Sequence, residues 1–119
     1  MKLTFAAALL TIVSSVGFFT AAAPVLQKRN SGDATYYTVG LGSCGKTNSD
    51  SEMVVALSGD IMKKSKCGST IHVKSASGSV TVKVVDTCPG CGASDIDLSP
   101  AAFKKLGKLS QGRIHVTWS

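Results

Sequence analysis

Apolar and polar residues alternate with a period of two over three stretches of the chain, which predicts half-buried strands. They are Thr70-Ile71-His72-Val73-Lys74-Ser75, Val80-Thr81-Val82-Lys83-Val84-Val85 and Arg113-Ile114-His115-Val116-Thr117-Trp118. Ser77-Gly78-Ser79 reads as a hairpin turn, so the first two should pair. Ala34–Val39 and the short Val54–Leu57 add two further strands. Helix is scarce. Ser99 can cap a helix running to Gly107, with Pro100 at the first helical position and Gly107 at the C′ stop. Ala102, Phe103 and Leu106 would form its buried face. Ser58–Lys63 is expected to make a short helical turn. The sum is a small closed β domain of about six strands with one cap helix.

The chain opens differently. Lys2 precedes an apolar run from Leu3 to Phe19, and Thr20-Ala21-Ala22-Ala23 stands before Pro24. Residues 1–23 therefore read as a secretory signal peptide. A membrane anchor fits less well, because Thr11, Ser14, Ser15 and Gly17 interrupt the run and no basic stop-transfer cluster follows directly. Residues 24–29 read as a short pro-segment whose dibasic Lys28-Arg29 invites processing, leaving a single domain over 30–119. This changes the charge. The whole chain carries +6, but without the leader ten basic residues face seven acids, a net of +3. That excess, with no basic run interleaved with aromatics, does not point to nucleic acid. The expected product is a secreted monomer with no membrane partner.

Cys44, Cys67, Cys88 and Cys91 all lie in the mature domain, and an even count in a small secreted domain reads as two disulfides. Spacing alone leaves all three pairings open. Cys88-x-x-Cys91 also has metal-ligand spacing, but Cys44 and Cys67 make no second close pair, so no metal or other cofactor is expected. The Cys88–Cys91 loop lies between two acids, Asp86 and Asp97, each at an element end. Paired carboxylates suit sugar chemistry, proton transfer or cation binding, and equally suit capping. Asp86 could cap the Pro89-Gly90 loop, and Asp97 sits near the dipole of the Ser99 helix. Asp95 reads as solvated, and Trp118 as core rather than a sugar platform. His72 and His115 read as isolated strand residues.

Several segments occur in an order that resembles a known family. They are Gly32-Asp33-Ala34-Thr35-Tyr36-Tyr37, Gly42-Ser43-Cys44-Gly45, Cys67-Gly68-Ser69-Thr70-Ile71-His72-Val73, Val84-Val85-Asp86-Thr87-Cys88-Pro89-Gly90-Cys91 and Asp95-Ile96-Asp97-Leu98-Ser99-Pro100-Ala101-Ala102-Phe103. Together they resemble the double-psi β-barrel of expansins, small fungal loosenins, and the rare lipoprotein A and barwin group, over nearly all of residues 32–118. The leader also looks like that of secreted fungal members. The resemblance implies a six-stranded double-psi β-barrel with one or two short helices and an open groove. It implies that Thr35, Tyr37, Asp86 and Asp97 line the groove, and that Cys44 pairs with Cys67 and Cys88 with Cys91. Asp97 falls on the acid that wall-loosening depends on, and on the general acid of related family 45 endoglucanases. Those hydrolases carry their base two residues after the first-strand tyrosine. Here that residue is Val39, which argues against hydrolysis. Two other departures stand out. Cys88 occupies a common tyrosine position, and the aromatic second domain of full expansins is missing.

The resemblance therefore implies a secreted, non-enzymatic protein that binds cell-wall polysaccharide, β-glucan or chitin, and loosens it, with Asp97 the catalytic residue if there is one. The alternative is a protein-binding module, such as an inhibitor of a secreted cysteine protease or an effector acting on a host protein.

Overall fold

In the computed structural model, residues 29–119 are described; the expected signal peptide and all of the pro-segment but Arg29 lie outside them. The five predicted segments become strands β1 (Asn30–Tyr36), β2 (Val54–Ser58), β3 (Thr70–Lys74), β4 (Ser79–Cys88) and β6 (Ile114–Trp118), and a short sixth strand that the sequence reading does not single out, β5 (Ile96–Leu98), joins them. Helix is confined to α1 (Pro100–Lys104) and 3-10 turns at Lys64–Lys66 and Leu109–Gln111. The strands close in the order β1-β5-β2-β4-β3-β6, with β6 returning to β1. Closure leaves no unpaired edge. Two pairings are parallel, β1 with β5 and β2 with β4, and the rest are antiparallel. The result is the all-β, six-stranded barrel that the pattern predicts.

Inward residues follow the pleat. Ile71 and Val73 on β3 face Val82 and Val80 on β4, while His72 and Lys74 stay outside. Val55, Leu57, Ile96, Leu98 and Val116 complete the buried centre. Phe103 and Leu106, on and just after α1, are fully buried against it. The Tyr36 ring packs on Phe103 at 4.9 Å and its hydroxyl donates to the Leu109 carbonyl. Trp118 is 6 % exposed and donates its indole N–H to Ser94, so it belongs to the core.

Three boundaries differ from the sequence reading. β1 starts at Asn30 rather than Ala34, because residues 30–34 pair with β6 in an antiparallel ladder that local propensity does not reveal. The β3–β4 turn begins at Ser75, whose hydroxyl accepts from the amides of Ser77 and Gly78. Ser99 does cap α1, accepting from the Ala102 amide at 3.2 Å, but the helix ends at Lys104. Leu106 and Gly107 both turn back to the Phe103 carbonyl, and Gly107 is not left-handed. Its small size matters for another reason: a Cβ there would lie 2.6 Å from the Gln111 side-chain oxygen. The segment expected to make a helical turn after Ser58 is a single hydrogen-bonded turn, with Ile61 and Met62 donating to the Ser58 carbonyl.

One irregularity places the site. Val54 and Val55 pair with Lys83 and Val84, but Ala56 pairs with Asp86. A one-residue bulge at Val85 therefore shifts the register. Without it, Val85 would oppose Ala56 and Asp86 would point inward. The bulge carries the Asp86 carboxylate to the outer face of the strand just past its apolar Val84-Val85 segment.

Candidate functional site

Strand register sets four residues side by side. Thr35 pairs with Asp97, Asp97 with Ala56, and Ala56 with Asp86, across β1, β5, β2 and β4. Directly paired residues share a face, so this row runs across the outside of the barrel. Ala56, the small residue between the two acid-bearing strands, is 2 % exposed, so a ligand in a trough between them would meet the flanking side chains rather than Ala56. Adjacent strands are about 4.8 Å apart, so the two acids are separated by roughly 10 Å at the backbone. They are not a close dyad sharing one proton.

The acids are held differently. The Thr35 hydroxyl donates to Asp97 Oδ1 at 2.9 Å, and Asp97 Oδ2 makes no hydrogen bond among the described residues. Burial pushes the Asp97 carboxyl above its ordinary value. The Thr35 bond and the charge of Arg113 oppose this, and the charge of Asp86 adds to it. Asp86 is held by the backbone: its Oδ1 accepts from the amides of Ser43 and Thr87, both at 2.8 Å, and its Oδ2 also makes no hydrogen bond among the described residues. The loop it caps is Gly42–Gly45 rather than the Pro89-Gly90 turn. Ser43 Oγ lies 2.7 Å from Thr87 Oγ1, which closes the arrangement.

Tyr37 follows β1, and its amide donates to the Leu98 carbonyl. Its hydroxyl is closed off from solvent with no partner at hydrogen-bond geometry. Burial and then the charges of Asp86 and Asp97 raise its pKa far above that of a free phenol, and Asp86 acts further as a distant acceptor. It stays a neutral phenol beneath the two acids. Val39 stands beyond it and has only its amide to offer, donated to Asp50 Oδ1 at 2.7 Å. Asp95 is not simply solvated: it accepts from the Asp33 amide at 2.8 Å.

Cys44 is bonded to Cys67 and Cys88 to Cys91. The first fastens the Gly42–Gly45 loop to the start of β3, next to the residue that holds Asp86. The second ties off the turn after β4, where the buried Ser58 hydroxyl donates to the Cys91 carbonyl at 3.0 Å. Among the described residues no group of three or more His, Cys, Asp or Glu could hold a metal ion. Sequence reasoning missed Ser43, whose backbone orients Asp86, and Arg113, whose charge reaches Asp97. Neither has a local signal, since Ser43 lies 43 residues from its partner.

Gly42 exposes how tightly the loop is seated. A Cβ there would fall 2.3 Å from the Val85 carbonyl oxygen at the bulge. Gly42→Ala is expected to push the loop off β4, break the Ser43–Asp86 bond and cost about 2 kcal/mol. Chemical denaturation checks the cost; an unchanged midpoint would show that the loop gives way freely.

The comparisons with known proteins bear on the family and the fold. The model of the double-psi β-barrel family described as "Lytic transglycolase" matches residues 29–118. The Aspergillus fumigatus allergen Asp f 7 is 40 % identical over 89 residues, covering 70 % of this chain and 33 % of the allergen. A papain inhibitor from Streptomyces mobaraensis is 32 % identical over 98 % of this chain and 92 % of the inhibitor. The structure of a Clavibacter michiganensis expansin mutant in complex with cellohexaose superposes with a TM-score of 0.71 at 30 % identity, over 77 % of this chain and 50 % of the expansin. The chain thus spans a third of the allergen, half of the expansin and nearly all of the inhibitor. With the match running from Arg29 to Trp118, the chain belongs to the double-psi β-barrel family, among expansin-like relatives.

Proposed function

We propose that the domain is a secreted, non-hydrolytic expansin-like protein that binds cell-wall polysaccharide, β-glucan or chitin, across the Thr35–Asp97–Ala56–Asp86 row and loosens it. The observation that carries this reading is that each acid is held through one carboxylate oxygen and keeps the other without a hydrogen bond among the described residues. Asp97 has an uncommitted oxygen on an open face, ready to accept from a sugar hydroxyl. Asp86 is held by two backbone amides through Oδ1, and its Oδ2 is likewise without a hydrogen bond among the described residues. An inverting hydrolase needs an acid and a base on either side of a water. Val39 supplies none, and the carboxylate beside it, Asp50, caps its amide. Binding energy gained by one chain in the trough would come at the expense of its hydrogen bonds to neighbouring chains. Thr35 orients Asp97, and the Tyr37 phenol supports the acids from below. Two disulfides fit an oxidising compartment, and secretion rests on the sequence of residues 1–29.

The test is retention of residues 30–119 on insoluble cellulose and chitin, with soluble reducing ends measured alongside. Retention without release is the expected result. Release of reducing ends that disappears in Asp97→Asn would instead make the domain a lytic enzyme with Asp97 as its acid.

A second reading, inhibition of a cysteine protease, is favoured by the near-complete coverage of the papain inhibitor. It also has a structural feature in its support: Leu41 is 75 % exposed on the stapled loop, a rigid apolar tip suited to a protease cleft. Nanomolar inhibition of papain with no glycan retention would replace the first reading by this one.

A further inference from the structure

Beyond Asp86 the row of acids gives way to lysines. Ser43 and Thr87, which hold Asp86 through their amides, also line an open cleft of about 220 Å³ with Met62, Lys63, Lys64 and Cys67. The trough and this cleft therefore share a wall. Neither Lys63 nor Lys64 is paired with a carboxylate among the described residues, where Asp33 takes the ion pairs, with Arg113 and His115. The paired hydroxyls of Ser43 and Thr87 sit between the acid and the lysines. The Cys44–Cys67 bond fixes the loop on one side and the approach to β3 on the other. A second cleft across that disulfide carries Lys46 and Lys83, but the Glu52 charge interacts with Lys83 and offsets it.

Resting on the polysaccharide reading, we infer that this cleft is a cationic end subsite for a carboxylate-bearing sugar, so that the preferred polymer contains uronate residues. A chain crossing Thr35, Asp97 and Ala56 would meet an acid there only through its hydroxyls. A uronate at those positions would be repelled by Asp97 and Asp86. One step further, the same carboxylate would face two free ammonium groups and two hydroxyls. The polarity of the surface thus selects both the kind of sugar and where along the groove it sits. Met62 offers an apolar patch for the ring face.

Affinity for cellohexaose and for a cello-oligosaccharide of the same length ending in one glucuronate residue, measured by calorimetry at low and high salt with wild type and the Lys63→Gln/Lys64→Gln double variant, tests this. Both lysines are exposed, so the variant should fold normally. At low salt, wild type should bind the uronate-ended oligosaccharide roughly fivefold tighter than cellohexaose, and salt should erode the preference. The variant should lose the preference and keep its cellohexaose affinity. Equal affinities in wild type, or a preference that survives in the variant, would overturn the subsite while leaving the groove intact. So would polyaspartate competing as well as the uronate-ended oligosaccharide, which would mark a generic polyanion surface. Binding of neither saccharide would remove the groove reading and the subsite together.

Discussion

Asp97→Ala is expected to reduce retention on insoluble polysaccharide by about tenfold or more, because a hydrogen bond to a charged group contributes about 1.5–3 kcal/mol. The loss should not come from unfolding. The Asp97 carboxylate accepts from the Thr35 hydroxyl and from no backbone amide among the described residues, so the backbone does not lean on it. Asp97→Asn separates charge from shape, since Thr35 can still donate to an amide oxygen. The sign of its pH effect follows from burial. An acid whose folded-state pKa is raised holds its proton longer in the folded protein than in the unfolded chain. Its ionisation therefore lowers stability as pH rises from the ordinary carboxylate value through the raised one. Asp97→Asn should be at least as thermally stable as wild type at neutral pH, and the difference should vanish below the ordinary carboxylate range. Thermal melts across pH check this. A variant clearly less stable at pH 7 would mean that the Asp97 charge stabilises the barrel, contrary to a binding role.

The fold was largely legible where period-two alternation is strong. The segments at 70–75, 80–85 and 113–118 sit close to β3, β4 and β6, because each buries one face and exposes the other. β1 was displaced because Asn30–Asp33 has weak strand propensity and is recruited by pairing with β6. The bulge at Val85 was invisible. Val84-Val85 reads as a continuous apolar run, and only the pairing of Ala56 with Asp86 shows the slipped register. That slip decides the site, since it turns Asp86 outward. Likewise Thr35 and Asp97 are 62 residues apart, and no local pattern could place them at 2.9 Å. They came together on the strength of family resemblance, not periodicity. Asp95 was misjudged for the same reason: its partner, the Asp33 amide, is equally remote in sequence.

Removing the Cys44–Cys67 bond by Cys44→Ser/Cys67→Ser should cost about 3 kcal/mol, and removing Cys88–Cys91 about 2 kcal/mol. The difference reflects loop length, because the first bond spans 23 residues and the second only three. In a domain of this size, 3 kcal/mol corresponds to a fall in Tm of roughly 15 °C. The functional consequences should diverge further than the stabilities. Cys44 follows Ser43, whose amide and hydroxyl hold Asp86 and Thr87 in place. Freed of the staple, the Gly42–Gly45 loop keeps its backbone bonds to β4 and its own turn and the Ser43 bonds to Asp86 and Thr87, but loses its covalent tie to the approach to β3. The Asp86 end of the row should then loosen even at temperatures where the barrel remains folded. Cys88–Cys91 closes a turn that is already tied by the Cys91 amide and the Ser58 hydroxyl, so its loss should leave the row intact. Melting temperature and polysaccharide retention measured on both double variants separate the two effects. Equal loss of retention in both, well below their melting temperatures, would show that the staple beside Asp86 has no privileged link to the groove.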